Sequence, residues 1–319
     1  MKRKSIFHRI SKFIVVSFCF LIISQVLIYS LPQQNNFRHG EVKIKDLVFK
    51  YETIGTGIPI VMIHGFSVDR ETMKGCMEPI FLNREGWKRI YFDLPGMGKT
   101  KGVPWVKNSD QILDVTLKFI KKVIPNDKFL IVAESYGGYI TRGIVYKEPR
   151  NVLGIALICP LAVPDDAKRD VPPRTIFNKD PEIYKNIPPI GKYYFDFLVA
   201  VHTKKVWERF NAEMVSGFSK ADGNYLRPIR QPKNYAFSFP VDQLQQPFKA
   251  PSLILTGRQD SGVGYNDIWN FIEQYPRASF ACLDFCGHAL QIEQEGLFNA
   301  LINEWLERVK QNNTVSGQN

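Results

Sequence analysis

The sequence predicts an α/β fold: a mostly parallel central sheet flanked by helices, with a helical cap inserted after the sixth strand. Three observations predict it. Short apolar runs of strand length alternate with helix-length segments between residues 42 and 309, the rhythm of a sheet covered on both faces. One of these runs leads into Ala133-Glu134-Ser135-Tyr136-Gly137, where small residues stand two positions before and after a serine at a strand-to-helix turn. A proline- and aromatic-rich stretch over 161–247 then breaks the rhythm.

At the start of the chain, Lys2, Arg3, Lys4, Arg9 and Lys12 precede a nearly continuous apolar segment at 13–31, and no acid occurs before Glu41. Positive charge ahead of an apolar run predicts a cytoplasmic N-terminus and export of the remainder of the chain. Residues 1–31 read either as a signal anchor, whose apolar run is of barely spanning length, or as a signal peptide ending near Ser30, where Ile28 occupies a position that favours a small residue. The expected location is therefore a membrane-anchored extracytoplasmic catalytic domain, or secretion after cleavage. Residues 32–41 read as a polar linker. Val42, Ile44, Leu47, Phe49 and Tyr51 alternate as a pair of antiparallel strands would.

Beyond them, the run 60–63 precedes a helix near 71–82, and 89–92 precedes a helix from Ser109, read as its N-cap. The runs 129–133 and 152–159 enclose the helix after Ser135. The stretch 161–247, with a helix expected around 194–215, is short and begins and ends at strand edges, so it reads as an insertion rather than a second domain. The runs 253–255 and 280–285 complete the sheet, and an amphipathic helix over 290–309 closes it. The core is thus 42–160 plus 248–311, with 312–319 as a flexible tail.

Hydrophobic residues make up 45% of the 319-residue chain and charged residues 23%, an ordinary globular composition. The net charge of +11 is partly concentrated ahead of the apolar segment and otherwise scattered. That argues against nucleic acid as a partner and for a surface compatible with anionic lipid. The spacing of Cys19, Cys76, Cys159, Cys282 and Cys286 fits no zinc pattern, and burial as free thiols is the expectation for those near strands.

The serine needs a base, because a hydroxyl is a poor nucleophile near neutral pH. Of five histidines, His8 lies near the apolar segment, His39 in the linker and His202 in the expected cap helix. His288 follows the last strand-like run and would share the carboxyl edge of the sheet with Ser135, whereas His64 follows an early strand in His64-Gly65-Phe66. An imidazole base needs a carboxylate to fix its tautomer. Asp260, after the preceding strand, projects from the same edge; Asp165 or Asp166 is the rival. Glu134 sits on the same tight turn as Ser135 and is expected to point elsewhere.

With serine, acid and histidine each after a separate strand, the sequence resembles the α/β-hydrolase fold family, in its cap-bearing, esterase- or lipase-like form, from residue 42 to 309. The marks are His64-Gly65-Phe66, Asp93-Leu94-Pro95-Gly96-Met97-Gly98, the Ser135 turn with Ala133 in place of a first glycine, Asp260, and Gly287-His288. The resemblance implies a catalytic triad of Ser135, Asp260 and His288, with backbone N–H groups of Phe66 and Tyr136 as the oxyanion hole and His64 as a residue shaping that loop. It implies a small-molecule substrate and no metal or cofactor. The aromatic cap favours a largely apolar carboxylic ester; amide, peptide or C–C bond hydrolysis, or ligand binding without turnover, are the alternatives. Two similarities are local only. Gly98-Lys99-Thr100 would require glycine at position 93 to make a phosphate-binding loop, and Glu-Ser-Tyr-Gly-Gly resembles serine carboxypeptidases, whose larger insertions this chain has no room for. Serine at position 135 also separates the chain from the dehalogenases and epoxide hydrolases of this fold, which carry aspartate there.

Overall fold

The computed structural model describes residues 37–185 and 187–316. The apolar segment at 13–31, read as an anchor or signal, lies outside the described residues. Among the described residues no helix is long and apolar enough to cross a membrane.

Eight strands form one sheet: β1 (Arg38–Ile44), β2 (Leu47–Ile54), β3 (Ile58–Ile63), β4 (Trp87–Phe92), β5 (Phe129–Glu134), β6 (Val152–Ile158), β7 (Ser252–Gly257) and β8 (Ala278–Leu283). Their order is β1-β2-β4-β3-β5-β6-β7-β8. The pairings of β2 with β1 and with β4 are antiparallel, and the remaining neighbours run parallel. Strands β5 and β7 are buried at every residue and β3 at all but its first. That is why they read as unbroken apolar runs: a central parallel strand has no wet face. Helix α1 (Arg70–Phe81) follows β3, α2 (Ser109–Val123) follows β4, and α3 (Tyr136–Lys147) follows β5. After β3 the chain turns towards β4 on one side and returns to β5 on the other, so the loops leaving β3 and β5 part at their carboxyl ends. Such a switch point opens a crevice where ligands bind in open α/β sheets.

Between β6 and β7 lies the helical insertion: α4 (Pro189–Leu198), α5 (Lys204–Phe210), a π-helical turn (Asn211–Val215), α6 (Ser216–Lys220), α7 (Gly223–Ile229) and α8 (Pro232–Tyr235). Its apolar centre, around Phe195, Phe210 and Met214, is shared with Val68, Ala289 and Ile292 of the core. Two final helices follow β8: α9 (Leu290–Glu293) and α10 (Glu295–Ser316).

Several boundaries differ from those expected. Strand β1 begins at Arg38, inside the expected linker, because backbone pairing with β2 from Arg38–Thr53 to Ile44–Leu47 needs no apolar side chains. The cap of α2 is Asn108, whose side chain accepts from the Gln111 N–H; Ser109 is buried and bonds Tyr136 and the Tyr235 carbonyl instead. The single helix expected over 194–215 is interrupted after Leu198. There Ala200 and His202 leave the helical path to exchange backbone hydrogen bonds with Phe177, so His202 is not in a helix. Strand β8 ends at Leu283, since Phe285 adopts a left-handed conformation (φ 61°). The closing helix is split at Gln294. Helix α10 then runs to Ser316, through most of the expected tail, because no helix breaker occurs before Gly317.

Candidate active site

Strand β5 ends in a backbone that only a tightly held turn tolerates. Ser135 has φ 52° and ψ −117°, a conformation costing a non-glycine residue on the order of 1–3 kcal/mol. Four backbone hydrogen bonds hold it: the Ser135 N–H donates to the Ile158 carbonyl at 2.9 Å, and the Ser135 carbonyl accepts from Gly138 at 2.9 Å, Leu161 at 3.0 Å and Tyr139 at 3.3 Å. A Cβ at Gly137 would lie 2.3 Å from the Ile63 carbonyl oxygen, so only glycine fits there. Ala133, the departure from the usual first glycine, is an ordinary strand residue, fully buried and paired with Ile63 and Leu157.

The β3 loop stands beside this turn because Ile63 and Ala133 are register partners. His64 is fully buried. Its Nε2 accepts from the Leu94 N–H at 3.0 Å and its Nδ1 lies 2.7 Å from the Gly65 carbonyl, which assigns the proton to Nδ1. His64 thus ties the loops after β3 and β4 together and has no free nitrogen to act as a base. Asp93, at the position where a phosphate-binding loop would need glycine, accepts from the Arg70 and Lys99 backbone N–H groups and the Arg70 guanidinium. The Phe66 and Tyr136 rings meet at 5.3 Å, edge to face, and Tyr235 from α8 stacks on Tyr136 at 4.8 Å. The Tyr136 N–H is at the first position of α3, where no intrahelical acceptor is available.

Asp260 and His288 follow β7 and β8. His288 Nδ1 is 2.7 Å from Asp260 Oδ2, while Asp260 Oδ1 accepts from the Gly262 and Val263 N–H groups at 2.9 and 3.0 Å. Both side chains are buried. Asp165 instead caps Ala167, and Asp166 pairs with Arg169 and Arg230. The loop bearing His288 is clamped: the His288 N–H donates to the Leu198 carbonyl at the end of α4, and the Gly287 N–H donates to Glu293 Oε2 at 2.8 Å. Glu293 Oε1 accepts from Ala200 and Val201 at 2.7 and 2.8 Å. Burial pushes the Glu293 carboxyl up to about 7, although these three N–H donors favour its ionised form. Burial disfavours a charged His288, but Asp260 overcomes this by charge and hydrogen bond, aided by Cys159 and Glu134, and raises its pKa well above the ordinary value.

The Cys159 Sγ and one ligand atom each of Asp260 and His288 lie within 4.8 Å of one another. They do not fit a metal site. The hydrogen bond to Asp260 occupies Nδ1 of His288, and burial holds the Cys159 thiol up at about 12, whereas a metal takes thiolate. Glu134 corrects the sequence expectation: it does not point away from the serine's surroundings. Its Oε1 is 3.3 Å from His288 Nε2, and its side chain is only 2% exposed.

Residues 58–295 match the family model described as the alpha/beta hydrolase fold. The chain belongs to the α/β-hydrolase fold family. Among curated proteins, this α/β hydrolase is 22% identical over 265 residues to a 2-hydroxy-6-oxo-6-(2'-aminophenyl)hexa-2,4-dienoic acid hydrolase of Metapseudomonas resinovorans, covering 80% of this chain and 86% of that one. Among solved structures it resembles an alpha/beta superfamily hydrolase from Oenococcus oeni PSU-1, with TM-score 0.75, 27% identity and coverage of 85% and 99%. It also resembles the esterase EaEST from Exiguobacterium antarcticum, with TM-score 0.67, 16% identity and coverage of 85% and 100%; that likeness concerns the fold alone.

In this α/β hydrolase, Ser135 and His288 border one cavity of about 530 Å³ roofed by the insertion. Tyr193, Tyr194, Phe197, Met214 and Phe218 supply an apolar wall, and Arg230 with Asp166 a polar corner. No hydrogen bond joins Ser135 Oγ to His288. Two residues near the hydrolase's site escaped sequence reasoning. Glu293 lies in a helix that reads as surface amphipathic, and a half-buried acid there gives no local signal. Glu134 was visible beside the serine, but the direction of its side chain is a tertiary fact.

Proposed function

We propose that the protein is a serine hydrolase that works through an acyl-enzyme on small carboxylic esters with a largely apolar group. The observation that carries this reading is the 2.7 Å hydrogen bond from His288 to Asp260 on the wall of the cavity that Ser135 enters. Ser135 Oγ attacks the ester carbonyl carbon and gives its proton to His288 Nε2. Asp260 holds the imidazole tautomer and stabilises the imidazolium. The carbonyl oxygen becomes an oxyanion facing the Phe66 and Tyr136 N–H groups; one such donor is worth about 3 kcal/mol in the transition state. The proton then passes from His288 to the departing alcohol. In the second half, His288 takes a proton from water, whose oxygen attacks the acyl carbon; the bond from that carbon to Ser135 Oγ breaks, and His288 returns the proton to Oγ as the acid is released. Tyr193, Tyr194 and Phe197 would receive the apolar portion.

A second reading is favoured by the curated relatives, several of which are named as hydrolases of 2-hydroxy-6-oxo acids. In it, the same residues would cleave a carbon–carbon bond beside a ketone. Fluorophosphonate labelling tests the shared chemistry: labelling that survives Ser135→Ala overturns it. A chain-length series of nitrophenyl esters tests the ester reading. If Ser135 is labelled but no ester turns over, the carbon–carbon reading takes its place. The basic flank and apolar run at 13–31 support export, as an anchored or cleaved extracytoplasmic domain. Mass measurement of the mature N-terminus distinguishes these two forms, and a catalytic domain retained in the cytoplasm would overturn both.

A further inference from the structure

Glu134 is a carboxylate with unusual surroundings. Its side chain is almost completely buried, Oε2 has no hydrogen-bond partner, and the same oxygen lies against Gly65, where an added Cβ would come within 2.2 Å of it. Among the described residues, the one cation within ion-pair reach is His288. A carboxylate removed from water without a compensating charge costs several kcal/mol, and the His288 imidazole is the group placed to offset that cost. The atom of His288 that Glu134 approaches is Nε2, the nitrogen that must be free of a proton to receive one from Ser135. Nδ1, on the opposite side of the ring, is held by Asp260. The imidazole therefore lies between two acids, one at each nitrogen.

We propose that Glu134 is a positioning residue that holds the Nε2 face of His288 in the resting enzyme and so sets the pH at which this imidazole becomes available to Ser135. The inference rests on the serine-hydrolase reading above and adds a residue that the reading does not require. A carboxylate at Nε2 retains the proton there, so the active base form appears only at higher pH than an Asp–His pair alone would give. The other groups around His288 do not supply the same effect. Asp260 acts at Nδ1, and the Cys159 thiol at the end of β6 is held neutral by burial. Glu293, on α9, spends both oxygens on backbone N–H groups. Tyr235, from the insertion, stays a neutral phenol because burial pushes it far up, and Arg169 gives its guanidinium to carbonyls and Asp166. Among the described residues, Glu134 alone faces the working nitrogen with a carboxylate.

The test is the pH dependence of the rate at which a fluorophosphonate labels Ser135 in the full chain, compared among wild type, Glu134→Gln and Glu134→Asp. Removing the charge is expected to move the acid limb of the profile down by about one pH unit or more, the usual effect of one nearby charge. Well below the wild-type limb, Glu134→Gln would then be labelled about tenfold faster. Glu134→Asp, which withdraws the charge by one methylene, is expected to fall between the two. Limbs that coincide in all three proteins, or that move upward in the variants, overturn the proposal. Absence of Ser135-dependent labelling at any pH would instead sink the serine-hydrolase reading. The His288 titration, followed by carbon-13 NMR in wild type and both variants and assigned by its loss in His288→Gln, still decides the role of Glu134: a midpoint unchanged by the substitutions overturns it.

Discussion

The Phe66 ring packs edge to face on the Tyr136 ring with centroids 5.3 Å apart, so the two residues proposed as oxyanion donors are locked to each other through their side chains. Tyr235 reinforces the lock by stacking on Tyr136 and meeting Phe66 at 5.2 Å. Tyr235→Ala is expected to lower stability by about 3 kcal/mol or more, the range for loss of a buried aromatic ring. It should also slow Ser135 labelling, because the two N–H groups lose their fixed separation. Denaturant unfolding and labelling rates measure the two effects; a variant destabilised but labelled at the wild-type rate would show that Tyr235 does not position the donors.

Two glycines separate backbone necessity from chance. Gly137→Ala forces a Cβ to within 2.3 Å of the Ile63 carbonyl, whereas a Cβ at Gly296, in α10, meets nothing within 4 Å. The first substitution should cost several kcal/mol and abolish labelling. The second should stabilise by up to about 1 kcal/mol, the helix-propensity difference between glycine and alanine. Denaturation midpoints of the two variants check both signs.

Asp260→Asn would leave the shape of the site and remove the charge that holds the His288 tautomer. In Ser-His-Asp sites generally such a change lowers turnover by about 10⁴-fold. Steady-state kinetics on whichever ester is accepted reads the loss; a reduction of less than tenfold would return the acid role to another carboxylate.

Stability should fall as pH rises. His288 binds its proton more tightly folded than unfolded, so the stabilisation is fully present below about 6.5 and is lost as pH rises through the higher folded value. Glu293, held at about 7 against 4.5 when unfolded, retains a proton that the unfolded chain releases, so it contributes a decline between those values. Unfolding midpoints measured from pH 4.5 upward should decrease. Glu293→Gln should flatten the lower part of that decline and Asp260→Asn the part above 6.5.

Glu293→Gln should also loosen the loop that carries His288. The carboxylate accepts from Gly287, Ala200 and Val201, and an amide must present its NH₂ to at least one of these donors. A loss of about 2 kcal/mol is expected from one buried donor left without an acceptor. Slower labelling at every pH, with no displacement of the acid limb, would distinguish this loosening from the effect expected at Glu134.

Much of the molecule was legible in the amino-acid sequence because its signals are local. An unbroken apolar run such as Ile60-Val61-Met62-Ile63 declares a strand buried on both faces. The small residues around Ser135 declare a turn too tight for side chains, and the chain order of Ser135, Asp260 and His288 follows from which strand each ends. What was misread depended on partners distant in sequence. Strand β1 reaches back to Arg38 because β2 is there to pair with it, and the expected cap helix breaks after Leu198 because Phe177 and Glu293 take its backbone groups. The sequence by itself thus determined the sheet, its helices and the set of candidate reactive residues, since periodicity and turn chemistry are properties of neighbouring residues. Only the tertiary structure decided which carboxylates face His288. Glu134 and Asp260 are 126 positions apart in the chain, and their approach to the two nitrogens of one imidazole is set by packing between β5, β7 and β8, which no local pattern records.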